Sequence, residues 1–139
     1  MDIEVRLGDW QTLGPLALPV RYAVFVREQH VPEELELDEH DPPSLHAIAL
    51  VGGETVGTGR LTPDGRIGRM AVLPGYRNRG VGARLLLALR DAALAQGLPR
   101  LELHAQVHAI PFYQRLGFVA DGPVFDDAGI PHRRMHWNA

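Results

Sequence analysis

The segment from Ile67 to Gln96 passes from strand-like to helical spacing across a loop of two glycines and two arginines. Ile67-Gly68-Arg69-Met70-Ala71-Val72 reads as a strand. Ala83 to Gln96 reads as a helix, with Val81, Leu85, Leu89 and Ala92 on one face. Between them runs Arg77-Asn78-Arg79-Gly80-Val81-Gly82. A helix start carries unpaired N–H groups and a partial positive charge. Glycine has no Cβ, so a backbone built from it can touch a phosphate. The loop therefore reads as a pyrophosphate cradle at the head of a helix. It is not a P-loop: Gly75 and Gly80 have the spacing, but Val81 replaces the lysine. A dinucleotide fingerprint fails as well, because Leu85 stands where the third glycine is needed.

The helix stops near Gly97-Leu98-Pro99, and Leu101 to Ala105 reads as a buried strand. A connection of that length predicts a crossover, with the strands on either side parallel. Upstream, Ile3 to Leu7 alternates apolar and charged residues, as a strand with one wet face does. Pro15 and Pro19 are expected to break up the next segment, leaving a helix over about Pro19 to Arg27. Glu28 to Asp41 carries seven carboxylates with no arginine or lysine among them. It reads as a solvated loop with one helical turn after Pro32, or as the negative rim of a cleft that would attract a cationic amine. Leu45–Val51, Glu54–Leu61 and Arg66–Val72 form an antiparallel meander turned at Gly52-Gly53 and Pro63-Asp64-Gly65. Gly57 and Gly59 predict a bulge or a closely passing backbone. A short helix over about Ala109 to Leu116 stops at Gly117. A strand from Phe118, a turn at Asp126–Gly129 and a strand over Arg133–Trp137 follow.

The 139 residues suit one domain, 1–139. A net charge of −3 argues against a non-specific nucleic-acid binder. No apolar run is long enough for a membrane span, and Asp2 and Glu4 do not open a signal peptide, so a cytoplasmic location is expected. There is no cysteine, and all 14 basic residues are arginine. Thiolate nucleophiles, zinc–thiolate sites and lysine Schiff bases are thereby excluded. The only serine, Ser44, sits in a Pro-Pro-Ser turn, a poor setting for a hydrolase nucleophile. Direct transfer between two bound substrates is better provided for than covalent catalysis. A metal site from Asp38, His40, Asp41 and His46 is discounted, since ligands on one loop lack a rigid surrounding shell.

In this order of elements the chain resembles the GCN5-related N-acetyltransferases (GNAT) over nearly its whole length. Arg77, Gly80 and Gly82 match the family's Gln/Arg-x-x-Gly-x-Gly/Ala signature. Ala109-Ile110-Pro111-Phe112-Tyr113-Gln114-Arg115-Leu116-Gly117-Phe118 looks like its Ala-x-x-Phe-Tyr-x-x-x-Gly-Phe segment. The run Glu28-Gln29…Pro32…Glu36-x-Asp38…Asp41 further resembles the ElaA/YjcF-like branch. The resemblance implies a mixed α/β, single-domain acyl-coenzyme A N-acyltransferase fold. Its twisted sheet is mostly antiparallel, with a splayed parallel pair and helices on both sides. It implies acetyl-coenzyme A as donor and no metal. The pantetheine arm would lie along Met70, Ala71 and Val72, and the pyrophosphate on the backbone of Arg77, Asn78, Arg79, Gly80, Val81, Gly82 and Ala83. Phe112 and Tyr113 would stand beside the arm, and Gln106 takes the place of an asparagine common in the family.

Moving an acetyl group to an amine needs the neutral amine, and alkyl amines are mostly protonated at neutral pH. Something must take that proton, and the leaving thiolate benefits from a nearby acid. The resemblance places Tyr113 beside the cofactor sulfur as that acid; the alternative is a tyrosine that only packs the last helix on the sheet. Glu28, Glu36 and His104 are the candidate bases, and a water relay is the alternative to all three. A backbone N–H such as that of Val72 would serve the oxyanion. The expected acceptor is a primary amine of a small molecule or peptide, without nucleic acid or membrane, bound by a monomer or homodimer. A non-catalytic acyl-coenzyme A sensor on the same fold is the competing reading.

Overall fold

Asp9 starts the first helix, its side chain accepting from the Thr12 N–H at 2.8 Å. A computed structural model describes all residues from Met1 to Ala139. In chain order the elements are β1 (Glu4–Gly8), α1 (Trp10–Arg21), a π-helical segment (Tyr22–Glu28), α2 (Glu33–Glu36), β2 (Leu45–Val51) and β3 (Glu54–Leu61). There follow β4 (Arg66–Val72), α3 (Val81–Ala95), β5 (Arg100–Gln106), α4 (Ile110–Arg115), β6 (Val119–Asp127) and β7 (Ile130–Asn138).

The expected helix over about Pro19 to Arg27 is corrected here. Pro15 and Pro19 both lie inside α1. Each proline leaves the carbonyl four residues back, of Gln11 and Pro15, without its helical donor. Gln11, Pro15 and Pro19 are all exposed, so water can serve those carbonyls. Leu13, Ala17 and Val20 form the buried stripe instead. Beyond Arg21 the helix widens to π geometry and ends with the Gln29 N–H bonded to the Val24 carbonyl at 3.0 Å.

The seven strands form one sheet in the order β1-β2-β3-β4-β5-β7-β6. All pairs are antiparallel except β4 and β5. Helix α3 lies on one face, where Val81, Leu85, Leu86, Leu89 and Ala93 are buried against Ala47, Val56, Ile67, Leu101 and Leu103. Ala93, not the expected Ala92, closes that stripe. Leu13 and Ala17 of α1 cover the other face at Ile48 and Leu50. Gly57 and Gly59 leave room for α3: a Cβ on Gly57 would lie 2.9 Å from Leu85 Cδ1. Side chains of α3 pass closest to that Cβ position on Gly57, and the Ala71 backbone carbonyl of β4 follows at 3.3 Å. The expected bulge is present too. Between Thr58–Ala71 and Arg60–Gly68 the register slips, so Arg69 and Met70 together face Gly59. Met70 Sδ sits 2.4 Å from where a Gly59 Cβ would stand, and Arg69 takes φ +50°.

The parallel pair is short. Only Arg66–Glu102 and Ile67–Leu103 are in register. Beyond them the bulge turns β4 away, β5 continues with β7 as its partner, and a gap opens in the sheet.

Candidate active site

The gap leads to the start of α3. Gly80 caps that helix in the left-handed region at φ +86°, and Asn78 before it has φ +61°. The Arg84 N–H reaches the Gly80 carbonyl at 3.1 Å, so the N–H groups of Val81, Gly82 and Ala83 have no acceptor within the helix. A Cβ on Gly82 would lie 3.3 Å from Phe112 Cζ, so the ring covers the place where a side chain would go. The residues fit a diphosphate: free amides at a helix start, and a surface that only glycine leaves open.

One cleft of about 1390 Å³ joins this cradle to the gap and to the region below α2. Every candidate residue except Arg79 lines it, and Arg79 is exposed outside. Met70, Ala71 and Val72 form one wall, and His104 and Gln106 the other. Phe112 and Tyr113 close the end beneath α3, their rings edge to face at 5.0 Å. Tyr113 is nearly enclosed and also packs on Phe118. Burial pushes its hydroxyl up to about 12.

The three candidate bases are all engaged. Glu28 holds Arg77 through two hydrogen bonds of 2.6 and 2.7 Å, which keep its carboxyl below the usual range. Arg77 Nε donates to the Val72 carbonyl at 2.9 Å. The signature arginine thus offers its backbone to the cradle while its guanidinium ties the loop down. Glu36 is buried and accepts from Arg21 Nε; burial pushes its carboxyl up against the pull of Arg21 and Arg69. His104 meets Arg66 through Nδ1, so that nitrogen is the acceptor and the ring is neutral. Burial, then the Arg66 charge, lowers its pKa.

The acidic run is half a solvated loop and half a charged core. Glu33, Glu34 and Glu39 are exposed and stand outside the cleft. Glu36, Asp38 and Asp41 turn inward to three arginines from α1, β3 and β4. Arg21 reaches Asp41 at 2.9 and 3.1 Å and the Glu36 carbonyl at 2.8 Å. Arg60 reaches Asp38 at 2.7 and 2.9 Å and Asp41 at 2.9 Å. Arg69, turned by the bulge, reaches Asp38 at 3.1 Å. Burial works against the Asp38 carboxylate, but Arg60 and Arg69 outweigh it and bring its pKa to about 2. His46 touches the Asp41 carbonyl at 2.8 Å and packs beside Trp10. Of the four residues weighed as metal ligands, Asp38 and Asp41 face arginines, His46 meets a backbone carbonyl and His40 is exposed beside Glu39, so they do not converge on a point.

The arginines of this cluster were missed at the level of sequence, and a signal existed. Arg21 falls four residues after Ala17 on the stripe Leu13, Ala17, Val20, Val24, where only a paired charge is stable.

A splayed parallel pair opening on a glycine-lined helix start is the architecture that the resemblance to the GNAT acyltransferases implies, and the comparisons agree. The chain belongs to the GNAT family of acetyltransferases: the family described as acetyltransferase (GNAT) domain matches residues 11–139. Among curated proteins it is 42% identical over 123 residues to the uncharacterized N-acetyltransferase YjcF of Bacillus subtilis, covering 86% of this chain and 88% of that one. Among solved structures, Escherichia coli ElaA superimposes with a TM-score of 0.86 at 28% identity, covering 99% of this chain and 100% of the other. An acyl-CoA N-acyltransferase from Pseudomonas aeruginosa gives 0.86 at 29% identity over 98% and 99%. No helix is long and apolar enough to cross a membrane.

Proposed function

We propose that this chain, working as one domain over residues 1–139, transfers the acetyl group of acetyl-coenzyme A directly to a primary amine held in the same cleft. The observation that carries this reading is the continuity of the cradle, the gap between β4 and β5, and the Tyr113 end of one cleft. The thioester, when bound, supplies an activated acyl group. The free amides of Val81, Gly82 and Ala83 hold the diphosphate, and the edge of β4 from Met70 to Val72 aligns the arm. The Val72 N–H stands as the oxyanion donor.

Tyr113 works as a hydrogen-bond donor to the leaving sulfur. With a pKa near 12 its hydroxyl stays protonated across the working range. A thiol is the stronger acid, the reference value for cysteine being about 8.5. The proton therefore stays on Tyr113 while its O–H stabilises the thiolate. Tyr113→Phe is expected to lower kcat about 10- to 100-fold with KM for the donor within about twofold, the scale of one lost hydrogen bond to a charged group. Steady-state kinetics at saturating donor check this, and full activity would remove Tyr113 from the chemistry.

Engaged acceptors on Glu28, Glu36 and His104 support a water relay for the amine proton over any single base. The carboxylates of the acidic run that line the cleft are all matched by arginines, which removes the electrostatic argument for a cationic acceptor. A thiol-release assay with acetyl-coenzyme A and a panel of neutral, cationic and amino-acid amines tests the whole reading. Turnover on at least one amine is expected. Tight coenzyme A binding with no turnover on any amine would favour the sensor.

A further inference from the structure

The last two residues before the chain leaves the first helical unit reach opposite walls of the gap. Glu28 ends the π-helical segment and grips Arg77, at the β4 side. Gln29, the next residue, grips Gln106 at the end of β5. The two carboxamides are paired head to head: Gln106 Nε2 donates to Gln29 Oε1 at 2.8 Å, and Gln29 Nε2 donates to Gln106 Oε1 at 3.3 Å. All four residues line the cleft. The strands they reach have no hydrogen bonds to each other beyond Leu103, so the sheet itself does not set their separation there.

We propose that Gln29 is a positioning residue for the acyl donor. Its carboxamide fixes the side chain of Gln106 on one wall, while the neighbouring Glu28 fixes the cradle loop through Arg77 on the other. The end of the π-helix thereby sets the width of the gap that the donor arm must enter. A glutamine side chain left alone samples many rotamers, and ordering it on binding costs free energy. The reciprocal pair orders Gln106 beforehand. The π geometry contributes directly: the Gln29 N–H bonds to Val24 and the Val31 N–H to Phe25, longer spans than an α-helix allows, which hold consecutive residues facing both walls.

This inference rests on the proposed donor, so binding is measured apart from turnover. The probe is coenzyme A alone, titrated calorimetrically into the full chain, with steady-state kinetics on any amine found active. Gln29→Leu is expected to weaken coenzyme A binding about tenfold and to raise the donor KM alike, with kcat within about twofold. Gln106→Leu should match it. The double variant should be no weaker than either single one, because the two residues act as one unit. Gln29→Glu keeps an acceptor for Gln106 Nε2 and should recover part of the loss. If the wild type binds coenzyme A and Gln29→Leu binds it equally well, or if the two losses simply multiply, the positioning role is overturned while the transferase reading stands. A fall in melting temperature with unchanged affinity also overturns it, by marking the pair as structural only. A wild type that does not bind coenzyme A overturns both readings.

Discussion

A Gly82→Asp variant should fold as well as the wild type and lose coenzyme A binding by two orders of magnitude or more. Gly82 lies in the first turn of α3 with no positive φ, so the helix can accept a side chain there. An aspartate near a helix start is, if anything, stabilising. Its Cβ would stand 3.3 Å from Phe112 Cζ, a contact that the ring relieves by moving a few tenths of an ångström. What the variant cannot tolerate is an anion where the free amides await one. Two like charges about 4 Å apart repel by roughly 4 kcal/mol at the effective dielectric of a protein surface, and about 1.4 kcal/mol is already tenfold in affinity. Calorimetric titration beside a thermal melt checks both halves. Gly82→Ala separates the steric part from the charge. Unchanged affinity in Gly82→Asp would move the donor away from the head of α3.

The second large effect is on stability. Arg21→Ala should cost about 3–5 kcal/mol, the range for removing one partner of a buried ion pair. It should lower the melting temperature by about 10 °C or more in a chain of this size. Arg21 is 1% exposed and holds both Glu36 and Asp41. Burial works against its charge, but the hydrogen bonds it donates to Asp41 and Glu36 outweigh that and raise its pKa. Without it, two carboxylates remain inside with Arg60 and Arg69 as their only cations. Arg21→Lys should rescue little, since one ammonium cannot span the partners that the fork serves. Acid should weaken the same cluster. The folded pKa of Asp38 lies below its unfolded value, so its contribution is present above pH 4 and is lost as pH falls toward about 2. Thermal melts from pH 7 to pH 2 follow that loss, and Asp38→Asn should flatten the acid limb. A melting temperature unchanged by Arg21→Ala would mean that the carboxylates find water or neutralise without cost.

The elements nearest to α3 could be read from the chain itself because local signals there agree with one another. Apolar spacing, the glycines and the Gly-Pro stop all place the same strand, loop and helix, and the crossover length makes β4 and β5 parallel. The depth of the gap could not be read that way. It depends on the bulge at Arg69 and Met70, a register slip with no sequence mark beyond Gly59 opposite. The first helix was misplaced because a proline on an exposed helix face costs less than one on a buried face, and spacing alone does not show which face meets the sheet. The acidic run looks like one object in sequence, yet its members separate by side: Glu33 and Glu34 face water, while Glu36 and Asp41 face arginines that in several cases lie more than 15 positions away. Long-range pairing of that kind has no period. Gln29 stands in the run that resembles the ElaA/YjcF-like branch, but its pairing with Gln106, 77 positions downstream, has no local mark either.

The buried charges have a chemical consequence of their own. Every cation inside this protein is a guanidinium, delocalised and protonated at any pH the fold survives. A lysine in the same place could shed its proton and become a nucleophile within reach of activated thioesters. Arginine leaves no such amine in the scaffold. The framework around the cleft thereby offers no lysine amine to compete for the activated acyl group of the proposed donor.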